Sequence, residues 1–442
     1  MRARRIAETA TSGLPLLAAL LAGWGAPAAA GGFQSLQEKT TYSLQVLAHD
    51  TERGLQEDSL LNPGNRIARL PGGQTEVEPR LDLKLTTEAV VLSVKPRARF
   101  EWRRFEDDGP ETRLDAWVNQ WSLTAYPHQE LAVSVGRDLL TWGPSNFRSP
   151  SNPIYFENGR NNPIRELLGV DVAQVAWSPA PELSLTLMHV FGDGRGDWQW
   201  EKDEGFQALS LLKVDFTADV YVASVNASKR WSDEHPRFGA FGQATVSEAL
   251  LVYVEAGLRQ GTSALYPETL PTPVGGAFVP RHAGDPRLFY SALVGGGYTL
   301  DSGHTVYLEY LTNNEGYRWA DGVRYFDIAA SASDSLASHS PDSALAGQTL
   351  GAALGNGLAL QGRHYLFLQV QNNPTDSGPT WQLRYSLNLV DGSGQASAYV
   401  EWSVLPRLAL FGVGVINHGS NRTEFHSLLS QSLLVGAKGY VF

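Results

Sequence analysis

Apolar and polar residues alternate with a period of two along most of the chain from residue 40 onward. In 77–87, Val77, Pro79, Leu81, Leu83 and Leu85 alternate with Glu78, Arg80, Asp82, Lys84 and Thr86. In 381–389, Trp381, Leu383, Tyr385, Leu387 and Leu389 alternate with Gln382, Arg384, Ser386 and Asn388. Successive side chains of a strand point to opposite faces, so each ribbon carries one apolar and one polar face. The period predicts strands at 41–49, 77–87, 90–104, 113–126, 131–139, 170–178, 182–191, 206–214, 219–229, 237–247, 250–260, 288–299, 304–313, 361–371, 379–390, 395–404, 407–417 and 428–442.

A single ribbon of this kind also suits a soluble sheet. The connections carry more information, because short ones such as 88–89, 127–130, 215–218, 248–249 and 405–406 alternate with long ones such as 50–76, 140–169, 261–287 and 314–360. An even number of strands, about eighteen, with every second turn tight predicts a transmembrane antiparallel β-barrel with short periplasmic turns and long extracellular loops. Closure is what lets strands cross lipid with every backbone N–H and C=O paired. Residues 31–442 are expected to form that one domain.

The segment 90-VVLSVKPRARFEWRRF-105 fixes which face is which. With Val90, Leu92, Val94, Pro96, Ala98, Phe100 and Trp102 toward lipid, Ser93, Lys95, Arg97, Arg99, Glu101 and Arg103 point into the bore. A Lys or Arg facing lipid at mid-membrane costs about 2–4 kcal/mol, so the phase is strongly set. Arg80, Lys84 and Arg384 add basic groups to the same inner surface, with Asp82 and Glu101 as internal partners. This basic strip is either an anion-favouring solute path or a set of ion pairs that fills and stiffens the interior. Aromatic residues near strand ends, among them Trp102, Trp117, Trp121, Tyr126 and Trp177, are expected in interfacial girdles.

The long loop 136-GRDLLTWGPSNFRSPSNPIYFENGRNNPIRELLG-169 is aromatic enough to be ordered. Folded inward over 140–169, it would narrow the bore, with Arg137, Trp142, Arg148, Arg160 and Arg165 setting its preferences. Trp142-Gly143-Pro144 and Ser151-Asn152-Pro153 resemble the signature region of outer-membrane barrels of capsule assembly, and more loosely of polysaccharide export. The resemblance implies structural work for those six residues and leaves open a role in surface polysaccharide assembly or export.

Charge and composition narrow the partners. Residues 1–30 read as a cleaved signal peptide: Arg2, Arg4 and Arg5, an apolar centre at 14–21, then 28-AAA-30. Removing them takes three Arg and one Glu from 35 basic and 46 acidic side chains, moving the formal charge from −11 to −13. Nucleic acid is excluded as a partner on that balance. The chain has no cysteine, so no disulfide framework stabilises it after secretion. The expected location is the bacterial outer membrane, with its lipid and lipopolysaccharide as surroundings.

The final segment 428-LLSQSLLVGAKGYVF-442 resembles the closing strand of outer-membrane barrels, which ends on Phe and is read by the barrel-assembly machinery. The resemblance implies that role for Tyr440 and Phe442, with Leu434 continuing their apolar row and Lys438 interrupting it.

Catalytic patterns such as G-x-S-x-G, H-E-x-x-H or a phosphate-binding Gly-rich loop do not occur, and His189, His364, His418 and His426 are scattered. No enzymatic activity, cofactor or metal is expected, although an outer-membrane enzyme barrel remains an alternative. The acidic stretch 192–205 is expected to be a solvated outer loop, and 328–360 a short helix in an outer loop, a segment tucked into the lumen or a flexible loop. The principal expectation is a porin-like channel for passive diffusion of small hydrophilic solutes, anionic or carbohydrate in character.

Overall fold

A computed structural model describes residues 39–106, 108–160, 163–192, 208–231, 233, 235–280, 287–373 and 378–442. The signal peptide assigned to 1–30 and the acidic stretch beyond Gly192 lie outside these residues.

The chain runs through β1 (Thr40–Leu55), β2 (Gly73–Thr86), β3 (Val90–Arg104), β4 (Glu111–His128), β5 (Leu131–Asp138), β6 (Val170–Ala180) and β7 (Leu183–Gly192). It continues through β8 (Leu209–Thr217), β9 (Tyr221–Arg230), β10 (Arg237–Thr245), β11 (Leu250–Gln260), β12 (Leu265–Thr269), β13 (Gly276–Pro280), β14 (Leu288–Thr299) and β15 (Thr305–Asn313). Two helices follow, α1 (Trp319–Ala337) and α2 (Ser343–Leu354). The last five strands are β16 (His364–Gln371), β17 (Thr380–Asn388), β18 (Gly394–Leu405), β19 (Leu408–His418) and β20 (Leu429–Tyr440).

All strands except β12 and β13 form one 18-stranded antiparallel sheet in which each pairs with its chain neighbours. β1 pairs with both β2 and β20, so the sheet closes on itself. Each of the eighteen segments expected from the alternation corresponds to one barrel strand. The physical cause is the one the period implies: Leu92, Phe100 and Trp102 are exposed on the outside of β3, whereas Arg97 and Glu101 between them are almost fully buried. The same partition repeats on β15, where Leu308 and Tyr310 are exposed and Glu309 is 1% exposed. Among the described residues, no helix is long and apolar enough to cross a membrane. The strands do the crossing.

Two parts of the alternation need correction. Trp117 does not join the girdle; it is 6% exposed and lies beneath the Arg99 guanidinium, 4.8 Å from ring centre to Cζ. The reason is a bulge between β3 and β4, where Lys95 pairs with Gln120 and Pro96 with Val118, leaving Asn119 unopposed. Proline has no N–H to give the ladder, and an extra residue on the facing strand reverses the inside–outside phase beyond it. Trp117 and Asn119 therefore turn inward, while Trp121 and Leu123 are exposed outside.

On β20 the outer row is Leu433 and Val435, both more than half exposed. Leu434 packs inside with Leu47 and Phe411, and Lys438 bonds the Tyr399 hydroxyl at 3.2 Å and the Glu401 carboxylate. Lys438 breaks no apolar row, because it belongs to the wet face.

The long connections build a separate cap. The β12–β13 hairpin, α1 and α2 share a core of Tyr266, Phe278, Tyr317, Tyr325, Ile328 and Leu350, to which Leu61 from the β1–β2 loop is added. Of the three expectations for 328–360, the helical one holds: the segment carries the end of α1 and all of α2, whose Ala346, Leu350 and Ala353 are buried against this core.

Candidate functional site: an inward loop and an arginine-lined bore

The connection between β5 and β6 crosses the bore and is pinned to opposite walls. On one wall, Glu309 of β15 accepts the backbone N–H groups of Asn146 and Phe147 at 2.6 and 2.9 Å. Beside it, Glu255 of β11 accepts the Ser151 N–H at 3.1 Å and hydroxyl at 2.7 Å, together with the Ser149 hydroxyl. Gly143 comes so close to this carboxylate, at a φ of +95°, that a Cβ there would lie 2.5 Å from Glu255 Oε1. On the other wall, Arg97 forks onto Glu166 and Arg80 donates to the Ile164 carbonyl at 2.7 Å. Carboxylates buried at 1–2% exposure are costly unless bonded, so the bonds to both oxygens of Glu309 and to Oε1 of Glu255 hold the loop in one place.

The loop also holds itself. Arg160 donates to the carbonyls of Gly143, Pro144 and Ser145 at 3.2, 2.9 and 2.7 Å. The Asn152 side chain accepts the N–H groups of Ile154 and Tyr155, and the Tyr155 hydroxyl donates to the Leu168 carbonyl at 2.6 Å. Burial raises the Tyr155 pKa, so that hydroxyl stays a donor. Phe147 stacks on Phe367 at 5.3 Å, and Trp142 packs against the cluster of Leu140, Val172 and Leu211 with Lys213 over its ring.

The basic residues fall into two groups. Those of β2 and β3 are matched by carboxylates: Arg80 by Glu78 at 2.7 Å, Arg97 by Asp82 and Glu166, Arg99 by Glu78 at 3.1 Å, and Arg103 by Glu101. Arg137 is likewise paired, with Asp171 at 2.8 Å. Lys84 is exposed near the end of β2 and Lys95 is half-buried on the inner side of β3. Arg384 and Arg148 belong to the second group. Arg384 donates to the Gln369 side chain at 2.9 Å and to the Arg160 carbonyl. Arg148 lies over the Phe147 ring and reaches Glu157 only at 3.8 Å; burial lowers its pKa.

Arg53, Arg148, Arg165 and Arg384 line one cavity of about 460 Å³ between the loop and the wall of β16–β20 and β1. Glu157 is the one carboxylate in its lining; Gln382, Ser397 and Ser432 supply neutral hydrogen-bonding groups. Arg53 and Arg165 also line a second cavity, of about 630 Å³, reaching Arg69 and Leu70 in the β1–β2 loop. The two cavities meet at that arginine pair. Arg53 escapes a reading of the sequence that ends the first strand at 49, since β1 runs on to Leu55. The sequence carries no signal of this extension, because Asp50, Thr51, Glu52 and Arg53 are all polar.

Tyr440 and Phe442 are both exposed, and the Phe442 ring meets Tyr42 edge-on at 5.2 Å. Among the described residues, no group of three or more His, Asp or Glu side chains is placed to hold a metal ion.

No protein-family model and no curated protein sequence matches the chain. Solved structures do. The chain is similar to Acinetobacter baumannii OccAB1 (TM-score 0.53, 12% identity), over 92% of this chain and 97% of that one. It is similar to Pseudomonas aeruginosa OccK7 (OpdD) (0.51, 10%), over 91% and 99%, and to OccK11 (OpdR) of the same organism (0.50, 11%), over 92% and 97%. These are porins of the outer membrane, and the likeness is one of fold.

Proposed function

We propose that this barrel is an outer-membrane channel that passes small hydrophilic solutes by diffusion and favours anions and polyhydroxylated molecules. The observation that carries the reading is the imbalance in the cavity beside the inward loop, where four guanidinium groups face one carboxylate of the lining, with Glu76 reaching Arg165 from outside it at 3.6 Å. Inside a low-dielectric wall such an imbalance focuses the field and raises the local concentration of opposite charge. The chain as a whole is acidic, so the preference comes from placement and not from net charge. Neighbouring amides and hydroxyls replace part of a solute's hydration shell as it passes the loop. Outer-membrane lipid and lipopolysaccharide surround the barrel, Tyr440 and Phe442 present its end to the assembly machinery, and no chemical step is involved.

Planar-bilayer recording under a potassium chloride gradient tests this. The reversal potential is expected on the anion-selective side, moving toward zero in R148Q and R384Q. The paired substitution R99Q/E78Q, which removes one charge of each sign, is expected to leave it in place. A non-selective wild-type channel, or one with cation preference, would refute the reading.

A further inference from the structure

The inward loop divides the bore, and its two faces line different chambers: Phe156 belongs to one and the adjacent Glu157 to the other. The chamber away from the proposed passage is a cavity of about 230 Å³ between loop residues 150–156 and the wall of β9, β10, β11 and β14. Three guanidinium groups line it, from Arg230, Arg237 and Arg259, together with one carboxylate, Glu315. Two have counter-ions, Arg237 with Asp233 at 2.9 Å and Arg259 with Glu315. Arg230 has no ion pair or hydrogen-bond partner among the described residues. Beside it, the Ser228 hydroxyl is buried, at 3% exposure for the residue, and also lacks a hydrogen-bond partner.

A buried hydroxyl without a partner is costly, and the half-buried Arg230 guanidinium beside it has donors free to meet an anion. Both groups line one chamber large enough for a small ion, since a water's share of liquid volume is about 30 Å³. Guanidinium groups offer forked donors that match the oxygens of an oxyanion.

We infer that this chamber is a binding site for a small tetrahedral oxyanion of the inorganic phosphate class, held by Arg230 and Ser228 with Arg237 and Arg259 flanking, apart from the conduction path. Bound there, the anion accepts from the buried Ser228 hydroxyl and from the Arg230 guanidinium. It also braces the loop, because the same wall carries the Asn226 amide that donates to the Ser151 carbonyl at 2.9 Å. Tetrahedral geometry suits donors converging from three strands better than a planar carboxylate does.

The test uses the full purified chain in detergent, with inorganic phosphate titrated against chloride at constant ionic strength. A saturable rise in melting temperature is expected, reproduced by sulfate, weaker by several fold with acetate, and lost in R230Q. R230K keeps the charge without the fork and is expected to weaken phosphate binding about tenfold, which covers the case in which R230Q fails to fold. R384Q is expected to bind phosphate as the wild type does. No saturable rise in the wild type, or an equal rise in R230Q, overturns the inference; an equal acetate response overturns the tetrahedral preference. Failure of the channel reading would show instead as absent anion selectivity with phosphate binding intact.

Discussion

Arg97 of β3 grips Glu166 of the inward loop with two parallel hydrogen bonds, Nε to Oε2 at 2.7 Å and Nη2 to Oε1 at 3.0 Å. Arg97 is almost wholly enclosed, at 2% side-chain exposure, whereas Glu166 keeps 34%. The guanidinium also donates to the carbonyls of Leu81 and Pro96 and pairs with Asp82 at 2.9 Å, so it is the centre of the joint. The asymmetry sets the order of effects.

R97Q is expected to loosen the loop more than E166Q, because a glutamine in place of Arg97 is shorter and loses the fork, whereas one in place of Glu166 keeps a carbonyl to which Arg97 can donate. Charge-assisted bonds of this kind contribute about 1.5–3 kcal/mol each net of solvation. A double-mutant cycle of R97Q and E166Q, read by amide exchange over residues 163–168, is expected to give a coupling of about 1–3 kcal/mol. Coupling near zero would show that the far wall holds the loop without this pair.

Acid should release the same joint. Burial pushes the Glu166 carboxyl up, but the Arg97 hydrogen bonds and charge, aided by Arg80 and Lys95, bring it below its ordinary range. A lowered folded-state pKa gives stability that is complete above the unfolded value and lost as pH falls through the folded one. Single-channel current is therefore expected to be steady from pH 8 down past about 4.3, the ordinary Glu value, and to fluctuate only below it. E166Q should show no acid step. A wild-type transition centred above pH 5 would assign the loop's release to another group.

Glu424 has the opposite sign. It accepts the Gln361 N–H at 2.9 Å and the Asn388 side chain at 2.8 Å, and burial raises its pKa. Its contribution is complete below the ordinary Glu value and fades as pH rises through the raised one. Amide exchange in 419–428 is expected to quicken from pH 5 to 8 beyond the intrinsic base-catalysed rate, and E424Q to remove that excess. No excess in the wild type would count against the buried acid.

Gly143 tests how tightly the loop sits on the opposite wall. An alanine there would hold a strained positive φ, worth about 1–3 kcal/mol, and push its methyl against Glu255. G143A is expected to lower the melting temperature more than S151A, which removes one hydroxyl bond to Glu255 worth about 1 kcal/mol. The reverse order in a thermal melt would mean that the loop gives way locally at Gly143.

The barrel was legible because lipid imposes one rule on every strand, and Leu92, Leu308 and Leu383 obey it wherever they fall. What stayed hidden depended on single contacts between distant parts of the chain. Pro96 announced a fault in the ladder, but only pairing with β4 shows that Asn119 absorbs it and that Trp117 turns inward. The arginines of β2 and β3 read as a basic surface; their neutralisation by Glu76, Glu78 and Glu166 needs the register of β2 on β3 and the fold of the loop. The cap was masked by composition, since the small residues of 328–354 suit a loose loop until Tyr266 and Phe278 of the hairpin provide a surface to pack on.

The two faces of one strand give the sharpest contrast. Leu308 is 54% exposed midway along β15, and the next residue, Glu309, is buried on the bore side where it holds Asn146 and Phe147. L308R is expected to destabilise the barrel by about 2–4 kcal/mol in urea titrations from lipid vesicles, because a cation then faces hydrocarbon. E309A should leave two buried N–H groups unpaired at a cost of about 1–3 kcal/mol each, paid in loop order and current noise more than in unfolding of the strands. If L308R unfolded at the wild-type urea concentration while E309A collapsed the barrel, the outer surface of β15 would not be the one that meets lipid.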